Sequence, residues 1–468
     1  MSSFISADRW IESMLTWQPT NTSATTDQQK SEQDTLVARS RDAWRNQLIA
    51  KAVIERLEMN VVGSGLVCKP KISGNKELEK EIGKRFTKWI LHCEYEDTKN
   101  FYALQSLVFS SRCLSGDVFV NTVVDDEQQL RLQVIEADRV SNPGMSPDTR
   151  EKVQGVFLQN GKPYAYSIQS SHPGDVYPEY VWTTFLKYGS TSGKQRLFHI
   201  WRKERPGQVR GVPLLTTVLE SLRKMDRYMN AELTSAVVAS LFSVFVKSEG
   251  GMSLPNYSDS TAKEAVQDTN QDRIYMKPGM VVNLSPGEDI ALANPTRPNS
   301  NYEPFVNSII RQIAACVAIP FDVLMLQFND SYSASRAALM QFWKTVMRYR
   351  WELIEQFCQP IYELWLENEI LSGRLEAKLS DEIFEASWVG PAKGSIDDTK
   401  EVIAARERIN LGVSDIQTEA EEIGGRDWLE VHEQRKIEHQ MREEADLEKE
   451  SAPPQTPLTM EGSPNAIS

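Results

Sequence analysis

A helix-rich α+β fold is what this sequence predicts, and three observations predict it. Apolar residues recur at helical spacing near the start of the chain and again through most of its second half. Between these regions lies a block of short apolar or alternating runs, with Asn160-Gly161 placed between two of them as a hairpin signal. Two long helical runs then bracket an insert rich in Gly, Pro, Ser and Asp.

Taken in order, residues 1–35 read as a mobile arm, because 18–35 are rich in Thr, Ser, Gln and Asp. From Leu36 to Val62 the residues Trp44, Leu48, Val53, Ile54 and Leu57 keep helical spacing, and Gly63 and Gly65 end the helix. Further helices are expected over 76–91 and 100–113. Residues 114–202 read as an antiparallel β module, with strands at 117–124, 130–135, 153–158, 164–168 and 197–201. Pro213 suits the first turn of a helix continuing to Val246, a rod of roughly 50 Å. The insert Glu249–Arg297 carries a short β pattern at Ile274–Leu284. Tyr302, Phe305, Val306, Ile309, Ile310 and Ile313 then form one helical face, which Pro320 interrupts. A long helix follows over Ser333–Leu371, with a kink expected at Pro360. Its bulky stripe from Phe342 to Trp365 covers enough of the circumference to demand burial on several sides. Gly390, Pro391 and Gly394 mark a boundary to an acidic helical segment, and 451–468 read as a disordered tail.

Charge narrows the function. Of the formal net charge of −13, residues 381–450 account for −11, with 20 acidic against 9 basic side chains, so the body is near neutral. A protein that clamps nucleic acid by neutralising phosphates needs a local Lys/Arg excess, which is missing here. Cys68, Cys93, Cys113, Cys316 and Cys358 are dispersed and odd in number, and read as reduced thiols. The best membrane candidate, the uncharged run Leu233–Val246, is too short to span a bilayer, and the chain reads as a soluble intracellular protein.

Signals for catalysis are thin. Gly189-x-x-x-Gly193-Lys194-Gln195 lacks the spacing and the Ser/Thr of a phosphate loop. Gly63-Ser64-Gly65 lacks the third glycine of a dinucleotide loop and reads as a helix terminator. His92, His172, His199, His432 and His439 form no metal-binding spacing. The pairs Asp125-Asp126 and Asp397-Asp398 sit where turns and helix N-termini favour Asp. No enzyme, cofactor or metal is therefore expected.

Several longer strings carry more information. Arg39-Ser40-Arg41-Asp42, Asn46 and Asn60-Val61-Val62-Gly63-Ser64-Gly65-Leu66 come first. Ser115-Gly116-Asp117-Val118-Phe119, Ile135-Glu136-Ala137-Asp138-Arg139, His199-Ile200 and Arg205-Pro206-Gly207-Gln208-Val209-Arg210-Gly211-Val212-Pro213 follow. Ala318-Ile319-Pro320-Phe321, Tyr332-Ser333-Ala334-Ser335-Arg336-Ala337-Ala338, Trp388, Ile396-Asp397 and Lys400-Glu401 complete the order. Together, over roughly residues 36–440, they resemble the lambda-type portal proteins of tailed bacteriophages.

The resemblance implies an elongated subunit of wing, stem, clip and crown, forming a ring of twelve copies at one capsid vertex of the virion. It implies wing at 36–210, stem helices at 211–248 and 298–318, clip at 249–297, tunnel loop and long wing helix at 319–390, and crown at 391–450. Met325, Leu326, Gln327, Phe328, Asn329, Asp330 and Ser331 would be the tunnel loop facing DNA. The implied partners are further copies of the chain, double-stranded DNA passing without tight binding, the terminase large subunit, the major capsid protein and the head–tail adaptor. No membrane is implied, and assembly would take place in the host cytoplasm. The competing readings are a shorter-type ring component such as a head–tail adaptor, or a packaging enzyme without a recognisable motif. A prophage or gene-transfer-agent copy would share the portal function.

Overall fold

The computed structural model describes residues 21–27, 30–72, 74–241, 245–248, 288–291, 301–328, 332–394, 398–425 and 428–445. Most of the insert 249–297, the expected β pattern at 274–284 and the tail 451–468 lie outside them. The chain divides into two compact units. One comprises Met1–Leu57, Ser110–Val120 and Val134–Phe342; the other comprises Glu58–Phe109, Asn121–Gln133 and Trp343–Ser468.

Among the described residues the α-helices of five or more residues are α1 (Lys30–Asn46), α2 (Leu48–Val61), α3 (Lys76–Trp89), α4 (Phe101–Ser115), α5 (Leu219–Leu241), α6 (Tyr302–Cys316), α7 (Phe321–Met325), α8 (Tyr332–Leu353), α9 (Gln359–Leu371), α10 (Asp398–Asn410), α11 (Ile416–Gly424) and α12 (Trp428–Glu444). The strands are β1 (Val67–Pro70), β2 (Asp117–Val124), β3 (Leu130–Glu136), β4 (Lys152–Val153), β5 (Val156–Gln159), β6 (Lys162–Gln169), β7 (Trp182–Leu186), β8 (Leu197–Trp201), β9 (Phe245–Ser248), β10 (Glu288–Ala291) and β11 (Ala386–Val389). This mixture, with strands gathered in the middle of the chain, is the helix-rich α+β fold expected.

The expected β module resolves into two sheets, one ordered β3-β2-β8 and one an antiparallel meander β4-β5-β6-β7. Asn160 and Gly161 both take positive φ in the turn between β5 and β6, as the hairpin signal requires. The inward residues Phe119, Ile135, Val140, Val153, Val156, Tyr166, Ile168, Leu197 and Val209 form one buried core. Helix α1 begins at Lys30, six residues earlier than the apolar spacing suggests, and its Gln33 is buried. The helix expected from Pro213 to Val246 instead starts at Leu219 and ends at Leu241. Phe245–Ser248 pair antiparallel with Glu288–Ala291, so the β-prone end of that apolar run goes into a ladder.

Helix α6 ends in a Schellman turn. Ala318 takes φ 56°, Ile319 N–H donates to the Ala314 carbonyl and Ala318 N–H to that of Ala315 (3.0 and 3.3 Å), and Pro320 follows.

The second unit is built on aromatic packing. Phe86, Trp89, Phe101, Phe357, Tyr362, Trp365 and Trp388 stack or meet edge-on, with centroids between 4.9 and 6.4 Å apart among the contacts of Phe86. The kink expected at Pro360 is a π-helical turn at Ile354–Cys358 directly before it, between α8 and α9. Proline offers no N–H to the preceding turn, and one wider turn absorbs the mismatch. Strands β1 and β11 pair antiparallel; neither is long enough to announce itself by alternation.

Arg350 holds this unit's chain crossings together. Its Nε donates to the Val61 carbonyl (2.9 Å) and its Nη2 to those of Asn60 and Pro391 (2.7 and 2.8 Å). Two of these acceptors are carbonyls at the C-terminus of α2, where a cation is favoured. Its guanidinium also lies over the Trp343 ring at 4.7 Å. Burial without a carboxylate pushes its pKa down to about 10. Replacing Arg350 by Met is expected to cost about 2–3 kcal/mol, the loss of charged hydrogen bonds to buried carbonyls. Arg350→Lys should recover little, since an ammonium cannot span three fixed acceptors. Chemical denaturation of the two variants checks this, and near-wild-type stability of Arg350→Met would contradict it.

Candidate functional site

Two places answer to the strings singled out in the sequence, a buried charge network in the first unit and the loop after α7.

The network forms where four strings meet. Asp117 opens β2, His199 lies in β8, Ala137 follows β3, and Arg210 belongs to the loop Arg205–Pro213. Arg210 Nε and Nη2 grip the two Asp117 oxygens at 2.5 and 3.1 Å. Nη2 also donates to the Ala137 carbonyl (2.9 Å), and Nη1 to those of Val140 and Gln154 (3.0 and 2.9 Å). These contacts use every N–H of the guanidinium. Asp117 further accepts from His199 Nε2 (3.1 Å) and Gly211 N–H (3.2 Å). His199 is stacked between Phe119 and Trp201, with centroids 4.3 and 5.1 Å away.

The backbones carrying this network cross without room for a side chain. A Cβ on Gly211 would stand 2.0 Å from the Gly116 carbonyl oxygen, and one on Gly116 2.6 Å from the Gly211 carbonyl carbon. Gly116 moreover takes φ +88°, where glycine is at ease. Within the loop, Gln208 Oε1 accepts from the N–H groups of Glu204 and Arg205 (2.7 and 3.0 Å), while its Nε2 donates to the Arg210 carbonyl (2.8 Å). Nearby, Arg41 joins its own string to those of Ser115 and Asp138, donating to Asp138 Oδ2 (2.6 Å) and Ser115 Oγ (3.0 Å). The sequence named the strings that carry Asp117, Arg210 and Arg41 without pairing them. The available signal was an Asp opening the apolar run Val118-Phe119-Val120 and an Arg between Val209 and Gly211.

Asp117 and His199 both resist protonation. Burial alone would raise the Asp117 pKa, but the Arg210 charge and hydrogen bonds from His199 and Arg210 hold it far below the ordinary 3.8. Burial lowers the pKa of His199 from 6.5, against the pull of Asp117. The ring is therefore a neutral donor, and the cluster holds one positive and one negative charge. This arrangement has the character of a structural clasp. Its groups face each other and buried carbonyls, and none is free to meet a substrate.

The loop after α7 carries the candidate tunnel residues. Val323 and Leu324 are buried, Met325 ends the helix, and Leu326 takes a left-handed conformation with φ 54°. Gln327 N–H donates back to the Asp322 carbonyl (3.1 Å), which closes the turn. Leu326, Gln327 and Phe328 are all exposed, Leu326 and Phe328 by more than half. Asn329, Asp330 and Ser331 lie outside the described residues. Among the described residues no group of three or more His, Cys, Asp or Glu could hold a metal ion, and no helix is long and apolar enough to cross a membrane.

For both depressed groups the unfolded chain takes up protons first, so stability falls on acidification. The loss begins as pH drops below His199's unfolded value of 6.5, and Asp117 adds to it below 3.8. His199→Gln keeps a donor toward Asp117 but cannot titrate, and should flatten the dependence between about pH 5 and 6.5. Asp117→Asn should cost about 3–5 kcal/mol by leaving Arg210 unpaired. Denaturant midpoints across the pH range check both; an unaltered slope in His199→Gln would count against the neutral ring.

Comparison with known proteins places these motifs in context. The family model described as "Phage portal protein, lambda family" matches residues 12–350. The portal protein of Escherichia phage N15 is 25% identical over 365 residues, covering 71% of this chain and 68% of the relative. Portal protein B of Escherichia phage lambda is 23% identical over 369 residues, covering 71% and 67%. Among solved structures, the neck of a native GTA particle computed with C12 symmetry aligns over 84% of this chain and 92% of that one, at 12% identity and a TM-score of 0.49. The family match runs from before α1 into the last turn of α8 and takes in every string that meets at Asp117. The chain belongs to the lambda family of phage portal proteins.

Proposed function

We propose that twelve copies of the chain form a ring at one vertex of the capsid, a conduit through which double-stranded DNA enters during packaging and leaves on ejection. The observation that carries this reading is the family match over residues 12–350. The terminase large subunit docks on the ring during packaging, the head–tail adaptor replaces it afterwards, and the major capsid protein surrounds it. Assembly takes place in the host cytoplasm and the ring remains in the virion. The role is structural, and the clasp at Asp117 serves it by holding the crossing strands of each subunit.

In this reading residues 36–210 belong to the wing, 211–248 and 298–318 to the stem, 249–297 to the clip and 391–450 to the crown. Residues 325–331 line the channel. What supports the last assignment is the exposed run Leu326-Gln327-Phe328, which carries no charge. A sliding duplex is best met by contacts that position it without releasing counterions, since each phosphate neutralised strengthens binding and resists movement.

Two measurements test the reading. Native mass spectrometry with negative-stain imaging of the purified chain should give a ring of twelve with a central hole; a compact monomer at every concentration, with or without capsid protein, would overturn it. In a defined packaging assay Gln327→Lys with Asn329→Lys should slow DNA uptake at low salt and recover partly as salt rises. A wild-type rate at all salt concentrations would remove 325–331 from the channel.

A further inference from the structure

Strand β7 ends its sheet, and among the described residues no strand pairs with its outer edge. The register fixes which backbone groups lie along that edge. Lys187 N–H donates to the Tyr164 carbonyl (2.8 Å) and Ser170 N–H to that of Val181 (2.9 Å), so Thr183 and Phe185 turn their N–H and C=O groups toward β6. Trp182, Thr184 and Leu186 turn theirs away from it. An open edge of this kind is ordinarily guarded by a charge, a proline or a bulge. Trp182-Thr183-Thr184-Phe185-Leu186 has none of these: it is uncharged, lacks proline and pairs with β6 without a shift in register. Its composition is that of a strand paired on both sides, yet Thr183, Thr184 and Leu186 are exposed.

The approach to this edge is apolar and held in place. Val176 and Tyr177 are 86% and 89% exposed, and Tyr180 and Val181 are exposed as well. Their loop is tied at its base, where Gln169 Nε2 donates to the Glu179 carbonyl (2.8 Å), Glu179 N–H to Ser171 Oγ (2.6 Å) and Arg139 Nη2 to the Ser170 carbonyl (2.7 Å). At the other end of β7 the chain turns back on itself. Gly189 N–H donates to the Lys194 carbonyl and Arg196 N–H to that of Lys187 (both 2.8 Å), which gathers Lys187, Lys194 and Arg196 at one place. From Tyr180 to Lys203 the sequence contains no acidic residue. We propose that β7 takes up an extended acidic segment of another protein as an added strand. The outward groups of Trp182, Thr184 and Leu186 continue the ladder, the tyrosines cover alternate apolar side chains of the guest, and the three cations meet its carboxylates. A row of alternating N–H and C=O groups matches a peptide backbone, whereas a phosphate chain offers it no donors. The edge belongs to the single subunit and does not depend on the ring.

Hydrogen exchange on the full-length chain tests it, with a capped peptide of alternating glutamate and valine, about eight residues long, as the probe. At millimolar peptide the Thr184 and Leu186 amides should exchange about fivefold more slowly, while those of β6 keep their rate. The lysine-for-glutamate peptide should leave both near the free chain's rate. Thr184→Pro removes an outward N–H without touching the β6 ladder and should abolish the effect. Lys187→Glu with Lys194→Glu should transfer the preference to the lysine peptide. The glutamate peptide N-methylated at alternate residues should protect nothing in the wild-type chain, a control that needs no variant to fold. No slowing by the glutamate peptide, or equal slowing by the lysine or N-methylated one, would overturn the proposal. Equal slowing by a single-stranded oligonucleotide would do so as well. Slowing that appears without peptide as protein concentration rises would assign the edge to a second copy of the chain and overturn the acidic partner.

Discussion

The first unit depends on one ion pair held out of water. Asp117 and Arg210 lie 93 positions apart, yet their groups meet with no exposed surface between them. Taking two charges into a core is costly, and the cost is recovered only when every remaining donor and acceptor is met. Here the guanidinium is fully used by the carboxylate and three carbonyls, and the carboxylate by Arg210, His199 and a backbone N–H. The pair thus specifies one arrangement of strands and loop, because any shift leaves a buried charge short of partners. The absence of side chains on Gly116 and Gly211 is what lets the two backbones approach closely enough for it to form.

The second unit solves the same problem without an anion. Arg350 binds only carbonyl oxygens and an indole face, so its charge is spread over partial negative charges at a helix end. Even with its pKa lowered it stays protonated at neutral pH. Arginine suits both places because its rigid fork meets acceptors from separate segments at once. In each unit a string recognisable in sequence approaches an arginine fork, those of Asp117 and Ala137 at Arg210 and that of Asn60 and Val61 at Arg350.

How much was legible follows from the range of the forces involved. Helices with a clear apolar face, such as α3 and α6, and strands flanked by Gly or Asn could be read almost to the residue. The family strings were visible, but their convergence was not, since pairing across 93 positions leaves no local trace. Strands β1 and β11 escaped because four residues are too few for a period, and β7 because its residues are exposed or half-buried throughout. The end of α5 was misplaced because an uncharged apolar run fits helix and strand equally well. Gln33 lies in a polar stretch whose composition suggested mobility; one hydrogen bond to Gly211 and a buried position tie it down. Of the tunnel candidates the string could be named, but the left-handed Leu326 that turns it outward has no sequence signature, since glycine is the residue that would announce it.

The ladder between β9 and β10 has a consequence of its own. Ser248 pairs with Glu288, so the segment between them leaves and returns at one point, about 5 Å wide. Lengthening such a closed loop carries only a small, logarithmic entropy cost. A change in the length of chain between Ser248 and Glu288 therefore costs the ladder of β9 and β10 little. A graft of another portal's insert at Ser248 and Glu288 is the natural place to build a chimera.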